Sequence, residues 1–135
     1  MHILLVEDDE SIREVFQLIL EFEAPFPDLT VSTCATGGEA LAHIREGAPD
    51  LVLLDLTLPE EHGFEVFRKI RLIPECSELP VVAVTAHNVA ELRMQAMELG
   101  FAGYITKPID FENGLLPLIQ KLFPDLRAET HIPAA

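Results

Sequence analysis

The sequence predicts an α/β domain built on a doubly wound, five-stranded parallel sheet with strand order 2-1-3-4-5. Continuous apolar runs at residues 3–6, 51–54 and 81–84 suit strands that are buried on both faces of a sheet. Two alternating or shorter segments, 29–34 and 103–106, suit the two edge strands. Helical patterns separate the strands, and right-handed crossovers would place these helices on both faces of the sheet.

Apolar residues recur at helical spacing between and after these strands. Start signals are a capping box at Thr36 and Glu39 and candidate N-caps at Asn88 and Asp110. Pro117 interrupts the last pattern, so the last helix is either kinked or begins later than Asp110. The residues expected on the inner faces of the five helices are, in order, Ile12, Val15, Phe16 and Ile19; Ala40, Leu41 and Ile44; Phe64, Phe67 and Ile70; Leu92, Ala96 and Leu99; and Phe111, Leu115, Ile119 and Leu122.

Composition narrows the class of protein. The chain has 135 residues, 49% of them hydrophobic, and its 23 acidic and 9 basic side chains give a formal net charge of −14. We expect one domain over residues 1–124 and a short tail over 125–135, with no output domain. An acidic surface repels phosphate groups, so we expect that the chain binds neither nucleic acid nor an anionic membrane. The absence of a signal peptide pattern and of a long apolar stretch favours a cytoplasmic location.

Reactive side chains follow four of the predicted strands, each at the point where the strand ends. They are Glu7, Asp8 and Asp9 after the first strand, Asp55 after the third, Thr85 after the fourth and Lys107 after the fifth. The carboxyl ends of parallel strands meet at one edge of the sheet, where ligands bind between strands 1 and 3. We therefore expect these side chains to lie close together.

Such a cluster suits a divalent cation and a phosphoryl group. Converging carboxylates raise one another's pKa unless a cation intervenes, and Mg²⁺ suits a few carboxylates with several waters. Lys107 offers a positive charge and Thr85 a hydroxyl donor for phosphoryl oxygens. Asp55 stands alone at the end of a central strand, which makes it the natural nucleophile for an aspartyl-phosphate.

Four motifs in this order resemble the receiver domain of two-component response regulators. They are Val-Glu-Asp-Asp at 6–9, Leu-Asp-Leu-Thr-Leu-Pro at 54–59, Val-Thr-Ala at 84–86 and Tyr-Ile-Thr-Lys-Pro at 104–108. Each motif is weak alone, but each stands at the end of its strand. The resemblance covers residues 2–123 and implies the flavodoxin-like (βα)5 receiver fold.

The resemblance also implies roles for individual residues. Asp55 would be the phosphoacceptor. Mg²⁺ would be held by the acidic pair Glu7 and Asp8, by Asp55 and by the Thr57 backbone carbonyl. Thr85 and Lys107 would contact the phosphoryl group, and Thr85 and Tyr104 would form a switch that remodels the face of helix 4, strand 5 and helix 5. The implied partners are a sensor histidine kinase or phosphotransfer protein and a downstream protein target, with a homodimer left open. Such a chain is not a classical enzyme, because it acts only on its own phosphoryl group.

Three other functions compete with this one. A metal-dependent phosphohydrolase of the haloacid-dehalogenase type needs a second acid two residues after its nucleophile, where this chain has Thr57. A non-catalytic interaction module would carry its acids only as surface charge. The chain could also be a receiver excised from a hybrid kinase.

The positions two residues after Asp55 and Thr85 concern the lifetime of a phosphoryl group. In receiver domains these positions flank the path of the hydrolytic water, and here they are Thr57 and His87. Neither side chain is an amide that would orient water well. We therefore expect slow self-dephosphorylation.

Overall fold

A computed structural model describes residues 1–26 and 28–126; the predicted tail beyond Leu126 lies outside the described residues. Five parallel strands form one sheet in the order β2-β1-β3-β4-β5, which confirms the predicted order. The strands are β1 (His2–Val6), β2 (Thr30–Cys34), β3 (Leu51–Asp55), β4 (Val81–Thr85) and β5 (Gly103–Thr106).

Five helices cover the two faces of this sheet. They are α1 (Glu10–Leu18), α2 (Gly37–Glu46), α3 (Gly63–Arg71), α4 (Ala90–Leu99) and α5 (Leu116–Leu122). A π-helical turn, Ile19–Glu23, extends α1, and a second one, Phe111–Leu115, precedes α5. A short 3-10 turn, Pro74–Cys76, lies between α3 and β4. No helix among the described residues is both long and apolar enough to cross a membrane.

The core is divided by the sheet into two layers. Successive residues of a strand point to opposite faces, so neighbours such as Leu53 and Leu54 contribute to different layers. One layer packs β-strand residues against α1 and α5, and the other packs them against α2, α3 and α4. All five residues of β3 and of β4 are buried, because both of their faces are covered. The continuous apolar runs in the sequence reflect this double coverage.

The capping box predicted for α2 is confirmed. The Thr36 hydroxyl accepts a hydrogen bond from the Glu39 backbone N–H at 3.1 Å, and the Glu39 carboxylate accepts one from the Ala35 backbone N–H at 3.0 Å. Asp110 is also confirmed as a cap, since its carboxylate accepts from the Asn113 N–H at 2.9 Å. These side chains satisfy backbone donors that have no partner within the helix.

Of the two alternatives expected for the last helix, the structure supports a regular helix that begins later than Asp110. The chain turns at Asp110, but the first turn is π-helical, with the Leu115 N–H donating to the Asp110 carbonyl at 3.0 Å. The regular helix α5 begins only at Leu116, so Pro117 lies in its first turn. Proline is tolerated there because a first-turn N–H has no intrahelical acceptor to lose.

Two predictions about helices are wrong. Asn88 does not cap the fourth helix, which begins at Ala90 after the extended residue Val89, and no side chain caps it. Asn88 therefore lies one residue before the N-cap position, which is occupied by Val89. Val15 is 48% exposed, whereas Leu20, which was not predicted, is fully buried beside Phe16. Leu20 stands four residues after Phe16, so both side chains lie on the helix face that packs on the sheet.

A close backbone contact joins the start of α3 to the end of β3. A Cβ atom on Gly63 would lie 2.7 Å from the Leu56 Cα and 2.8 Å from the Asp55 carbonyl oxygen. The Gly63 N–H also donates to the Leu56 carbonyl at 2.9 Å. Only glycine fits there, so this residue allows α3 to begin directly against the strand end that carries Asp55.

We expect the G63A variant to lose about 2 kcal/mol of unfolding free energy, since a methyl group would collide with backbone that cannot move aside. Urea titration measures the loss. The matched control is G47A, where the added Cβ meets nothing within 4 Å and φ is 179°, an extended value that any residue adopts. Equal stability of G63A and the unmodified chain would contradict the contact.

Candidate functional site

The sheet brings the predicted side chains to one edge. Glu7 directly follows β1, Asp55 ends β3, Thr85 ends β4 and Lys107 directly follows β5. Asp55 pairs in register with Val84, next to Thr85. Because all strands are parallel, these four residues lie at the carboxyl ends of adjacent or near-adjacent strands.

Three carboxylates form the centre of this site. Oxygens of Glu7, Asp8 and Asp55 all lie within 4.8 Å of one another. Glu7 and Asp55 are 1% and 3% exposed, whereas Asp8 is exposed. The cluster therefore has a buried floor of two carboxylates and a third carboxylate at its open side.

One ammonium group neutralises part of this charge. The Lys107 Nζ donates to the Glu7 Oε1 and, at 3.1 Å, to the Asp55 Oδ2. Charge-assisted bonds of this kind are strong, and the low exposure of both carboxylates limits screening by water. Even so, one lysine faces three acids, so the site has too little positive charge of its own.

Glu7 has an oxygen that the protein does not satisfy. Its Oε2 is buried and has no hydrogen-bond partner among the described residues. Leaving a buried acceptor without a partner is unfavourable, and such groups call for an explanation. A hard cation such as Mg²⁺ binds carboxylate oxygens while keeping several waters, which suits both this oxygen and the open Asp8 side. The residues present therefore fit a divalent cation.

The two buried carboxylates differ in their protonation. Burial and the neighbouring Asp55 carboxylate raise the pKa of Glu7 to about 8, and Lys107 offsets this only in part. Burial would also raise the pKa of Asp55, but the neighbouring Glu7, the Thr57 backbone N–H and Lys107 outweigh burial and lower it. Without a metal, Glu7 therefore holds a proton near neutral pH while Asp55 remains a carboxylate.

Thr57 fixes the orientation of the Asp55 carboxylate. Its backbone N–H and its hydroxyl both donate to the Asp55 Oδ1, at 3.0 and 3.1 Å. The second oxygen, Oδ2, faces Lys107. The metal-binding role expected for the Thr57 carbonyl stays a prediction.

The two expected switch residues are joined through one residue between them. The His87 N–H donates to the Thr85 hydroxyl at 3.3 Å, and the Tyr104 hydroxyl donates to the His87 carbonyl at 2.6 Å. The Tyr104 ring is buried, with 7% of the residue exposed. A movement of the Thr85 hydroxyl would therefore disturb a residue that also holds Tyr104. Sequence reasoning considered only the His87 side chain and missed its backbone, although a threonine two residues upstream is a known local hydrogen-bond partner.

Asp9 and Arg13 complete the loop between β1 and α1. The Asp9 carboxylate accepts from the Ile12 N–H at 3.2 Å and caps α1. Asp9 is therefore not part of the cluster formed by Glu7, Asp8 and Asp55, although it follows the same strand. The Arg13 Nη1 donates to the backbone carbonyls of Glu7 and Asp8. Sequence reasoning missed this contact, because an arginine in a helical turn does not reveal which carbonyls lie within its reach.

The raised pKa of Glu7 predicts how stability varies with pH in the absence of metal. Between pH 4.5 and about 8 the folded chain keeps a proton that the unfolded chain releases, so the unfolding free energy falls as the pH rises through this range. The E7Q variant imitates the neutral form. We expect it to be close in stability to the unmodified chain at pH 5 and to exceed its stability by about 3 kcal/mol at pH 8.

Urea titration at several pH values tests this expectation. The control is E14Q, which removes one negative charge at an exposed position on α1. A difference between E7Q and the unmodified chain that does not vary with pH would show that Glu7 is charged throughout.

Comparisons with known proteins agree with this geometry. The model of the response regulator receiver domain matches residues 3–118. The uncharacterized transcriptional regulatory protein YkoG of Bacillus subtilis is 39% identical over 111 residues, which are 82% of this chain and 46% of that protein. The chain spans about half the length of several curated relatives that it matches.

Solved structures share the fold. A LuxR-family two-component response regulator from Aurantimonas sp. SI85-9A1 is 32% identical with a TM-score of 0.79, covering 96% of this chain and 89% of that one. The Mn²⁺-bound form of response regulator Rcp1 is 28% identical with a TM-score of 0.73, covering 90% of each chain. The family match over residues 3–118 extends through all five strands and all four strand-end motifs, and this chain belongs to the response regulator receiver domain family.

Proposed function

We propose that this chain accepts a phosphoryl group on Asp55 as part of a two-component signalling system. The observation that carries the proposal is the state of Asp55: it is buried, it remains a carboxylate, and its orientation is set by two bonds from Thr57. Lys107 lies against it, and two further acids surround it. A nucleophile needs a charged, oriented oxygen with a cationic neighbour for the incoming group.

The transfer forms one bond and breaks one bond. An Asp55 oxygen attacks the phosphorus atom of a phosphohistidine, and the P–N bond breaks as the imidazole nitrogen takes its electron pair. Lys107, which already contacts Asp55, turns its ammonium group to a phosphoryl oxygen. The Thr85 hydroxyl gives a further hydrogen bond to the phosphoryl group.

A bound metal belongs to this proposal. Glu7, Asp8, Asp55 and the Thr57 carbonyl would hold Mg²⁺, which neutralises the negative charge of the phosphoryl oxygens when it is bound. The unsatisfied Glu7 oxygen and the open Asp8 side support this ligand set. Glu7 gives up its proton when it becomes a ligand, so binding of the metal is favoured at higher pH.

Phosphorylation would change the conformation outside the site through the hydrogen bonds of the His87 backbone. When the Thr85 hydroxyl turns to the phosphoryl group, the His87 N–H loses its acceptor, and the loop that also binds Tyr104 rearranges. This would change the face formed by α4, β5 and α5. The phosphoryl group thus biases a two-state element, because it is paired well in only one of the two states.

Partners follow from this role. We propose a histidine kinase or phosphotransfer protein as the donor and a protein target at the α4–β5–α5 face; pairing of two copies of the chain is a further alternative. A net charge of −14 favours partners with a basic contact surface. The cytoplasmic location and the absence of an output domain stay predictions.

The competing phosphohydrolase is not favoured. A hydrolase of that type needs a general acid two residues after the nucleophile. Here that residue is Thr57, whose backbone N–H and hydroxyl both donate hydrogen bonds to Asp55. Receiver domains are in general signalling phosphoacceptors, and we propose that any catalysis by this chain is confined to its own phosphoryl group.

We expect acetyl phosphate with Mg²⁺ to add one phosphoryl group to the chain, detected by intact-mass spectrometry. The D55N variant removes the nucleophile, so at least about 99% of the adduct should disappear. The control is D9N, because asparagine caps a helix as well as aspartate does and leaves the cluster intact. An adduct on D55N equal to that on the unmodified chain would refute Asp55 as the acceptor.

Slow loss of the phosphoryl group is a separate prediction. Thr57 uses its hydroxyl on Asp55, so it does not orient a water for attack on phosphorus. We expect a lifetime of minutes or longer once acetyl phosphate is removed, and we expect the T57N variant to shorten it several-fold. The decay of the adduct mass over time gives the lifetime, and a value of seconds for the unmodified chain would show that the expectation is wrong.

A further inference from the structure

The loop between β1 and α1 has an unusual electrostatic problem. It consists of Glu7, Asp8 and Asp9, and Glu10 follows as the first residue of α1, so four acids stand in a row. Neighbouring carboxylates repel one another when they are charged, and this repulsion opposes a compact loop. A metal site requires the opposite, because two of these carboxylates must stay together before the cation arrives.

Hydrogen bonds to the backbone hold this loop in place. The Arg13 Nη1 donates to the Glu7 carbonyl at 2.8 Å and to the Asp8 carbonyl at 2.9 Å. On its other side, the Glu7 N–H donates to the Cys34 carbonyl at 3.0 Å. The peptide groups that follow Glu7 and Asp8 are therefore both fixed by a single nitrogen atom. Because a side chain starts from its own Cα, these bonds also fix where the two carboxylates begin.

The groups that accept hydrogen bonds from Arg13 are backbone carbonyls, not carboxylates. Arg13 follows four acidic residues closely in sequence, yet its Nη1 bonds two main-chain carbonyls, and Arg13 forms no ion pair with a carboxylate among the described residues. A guanidinium group paired with the Glu7 or Asp8 carboxylate would occupy the oxygens that a cation needs. By binding the carbonyls instead, Arg13 places positive charge close to the acidic loop and leaves those oxygens available.

We propose that Arg13 is a positioning residue for the metal site, which sets metal affinity by fixing the backbone of Glu7 and Asp8. This inference depends on the proposed function, since it assigns a role within the same site. Residues that orient metal ligands commonly change metal affinity when they are replaced, although they do not touch the ion.

The R13K variant separates positioning from charge. Lysine keeps the positive charge, but its side chain ends one bond earlier than the Arg13 Nη1, so it cannot reach both carbonyls in the same way. We expect R13K to weaken Mg²⁺ binding about 10-fold, measured by isothermal titration calorimetry at constant pH. The R13Q variant, which lacks the charge as well, should bind Mg²⁺ no more tightly than R13K.

The chain offers a matched control at the opposite end of the sheet. The Arg71 Nη1 also bonds two backbone carbonyls, those of Cys76 at 3.0 Å and Leu79 at 2.7 Å. Leu79 lies before β4, whereas the metal site lies after the strand ends. R71K should therefore lower the urea midpoint at least as much as R13K does, while it leaves the Mg²⁺ affinity unchanged.

Each outcome decides the proposal. Weaker Mg²⁺ binding in R13K with normal binding in R71K supports it. Normal binding in R13K overturns it and leaves the proposed function standing, whereas equal weakening in both variants overturns it by showing a general effect of lost stability. Unfolding of both Arg13 variants where R71K stays folded also overturns it. If the unmodified chain does not bind Mg²⁺, the proposed function fails together with this inference.

Discussion

The arrangement of this protein depends on a shortage of positive charge at the edge of the sheet where the strands have their C-terminal ends. The fold buries Glu7 and Asp55 side by side, and Lys107 is the ammonium group that both carboxylates share. Burial strengthens every charge interaction there and also makes two adjacent negative charges unfavourable. In the absence of a cation, the protein resolves this by keeping a proton on Glu7, so that the charge remains on Asp55.

The remaining structure keeps this arrangement in place. Double coverage of β3 and β4 buries the strand that ends at Asp55, and Gly63 allows α3 to begin against that strand end. Thr57 holds the Asp55 carboxylate from one side, while Arg13 holds the backbone of the acidic loop from the other. Each of these hydrogen bonds has one charged partner, the Asp55 carboxylate or the Arg13 guanidinium, and together they determine where the acidic groups of the site lie.

The site is also connected to the surface of the protein. Thr85 is fully buried beside the cluster, and Tyr104 lies on the strand next to it. Both bond the backbone of His87, which precedes α4 without belonging to it. Because α4 begins without a side-chain cap, its first turn is less firmly held than those of α1 and α2. In the switch that we propose, a change at Thr85 would reach the start of α4 through these bonds.

The sequence by itself determined the fold class, the strand order and the residues at each strand end. Apolar periodicity and caps such as Thr36 are local signals, and parallel strands must bring their carboxyl ends together. Thus Asp55 and Lys107, 52 residues apart, could be placed in one site without coordinates.

Only the tertiary structure decided how these groups bond one another. The proton on Glu7 depends on burial and on the exact neighbours of each oxygen, and the contacts of Arg13 depend on the course of the loop. The bonds that the His87 backbone makes with Thr85 and Tyr104 depend on the packing of two strands against the loop before α4. These features escape a local pattern because they depend on which main-chain groups the fold brings within reach of each side chain. The sequence thus specifies which groups meet, and packing specifies their charge and orientation.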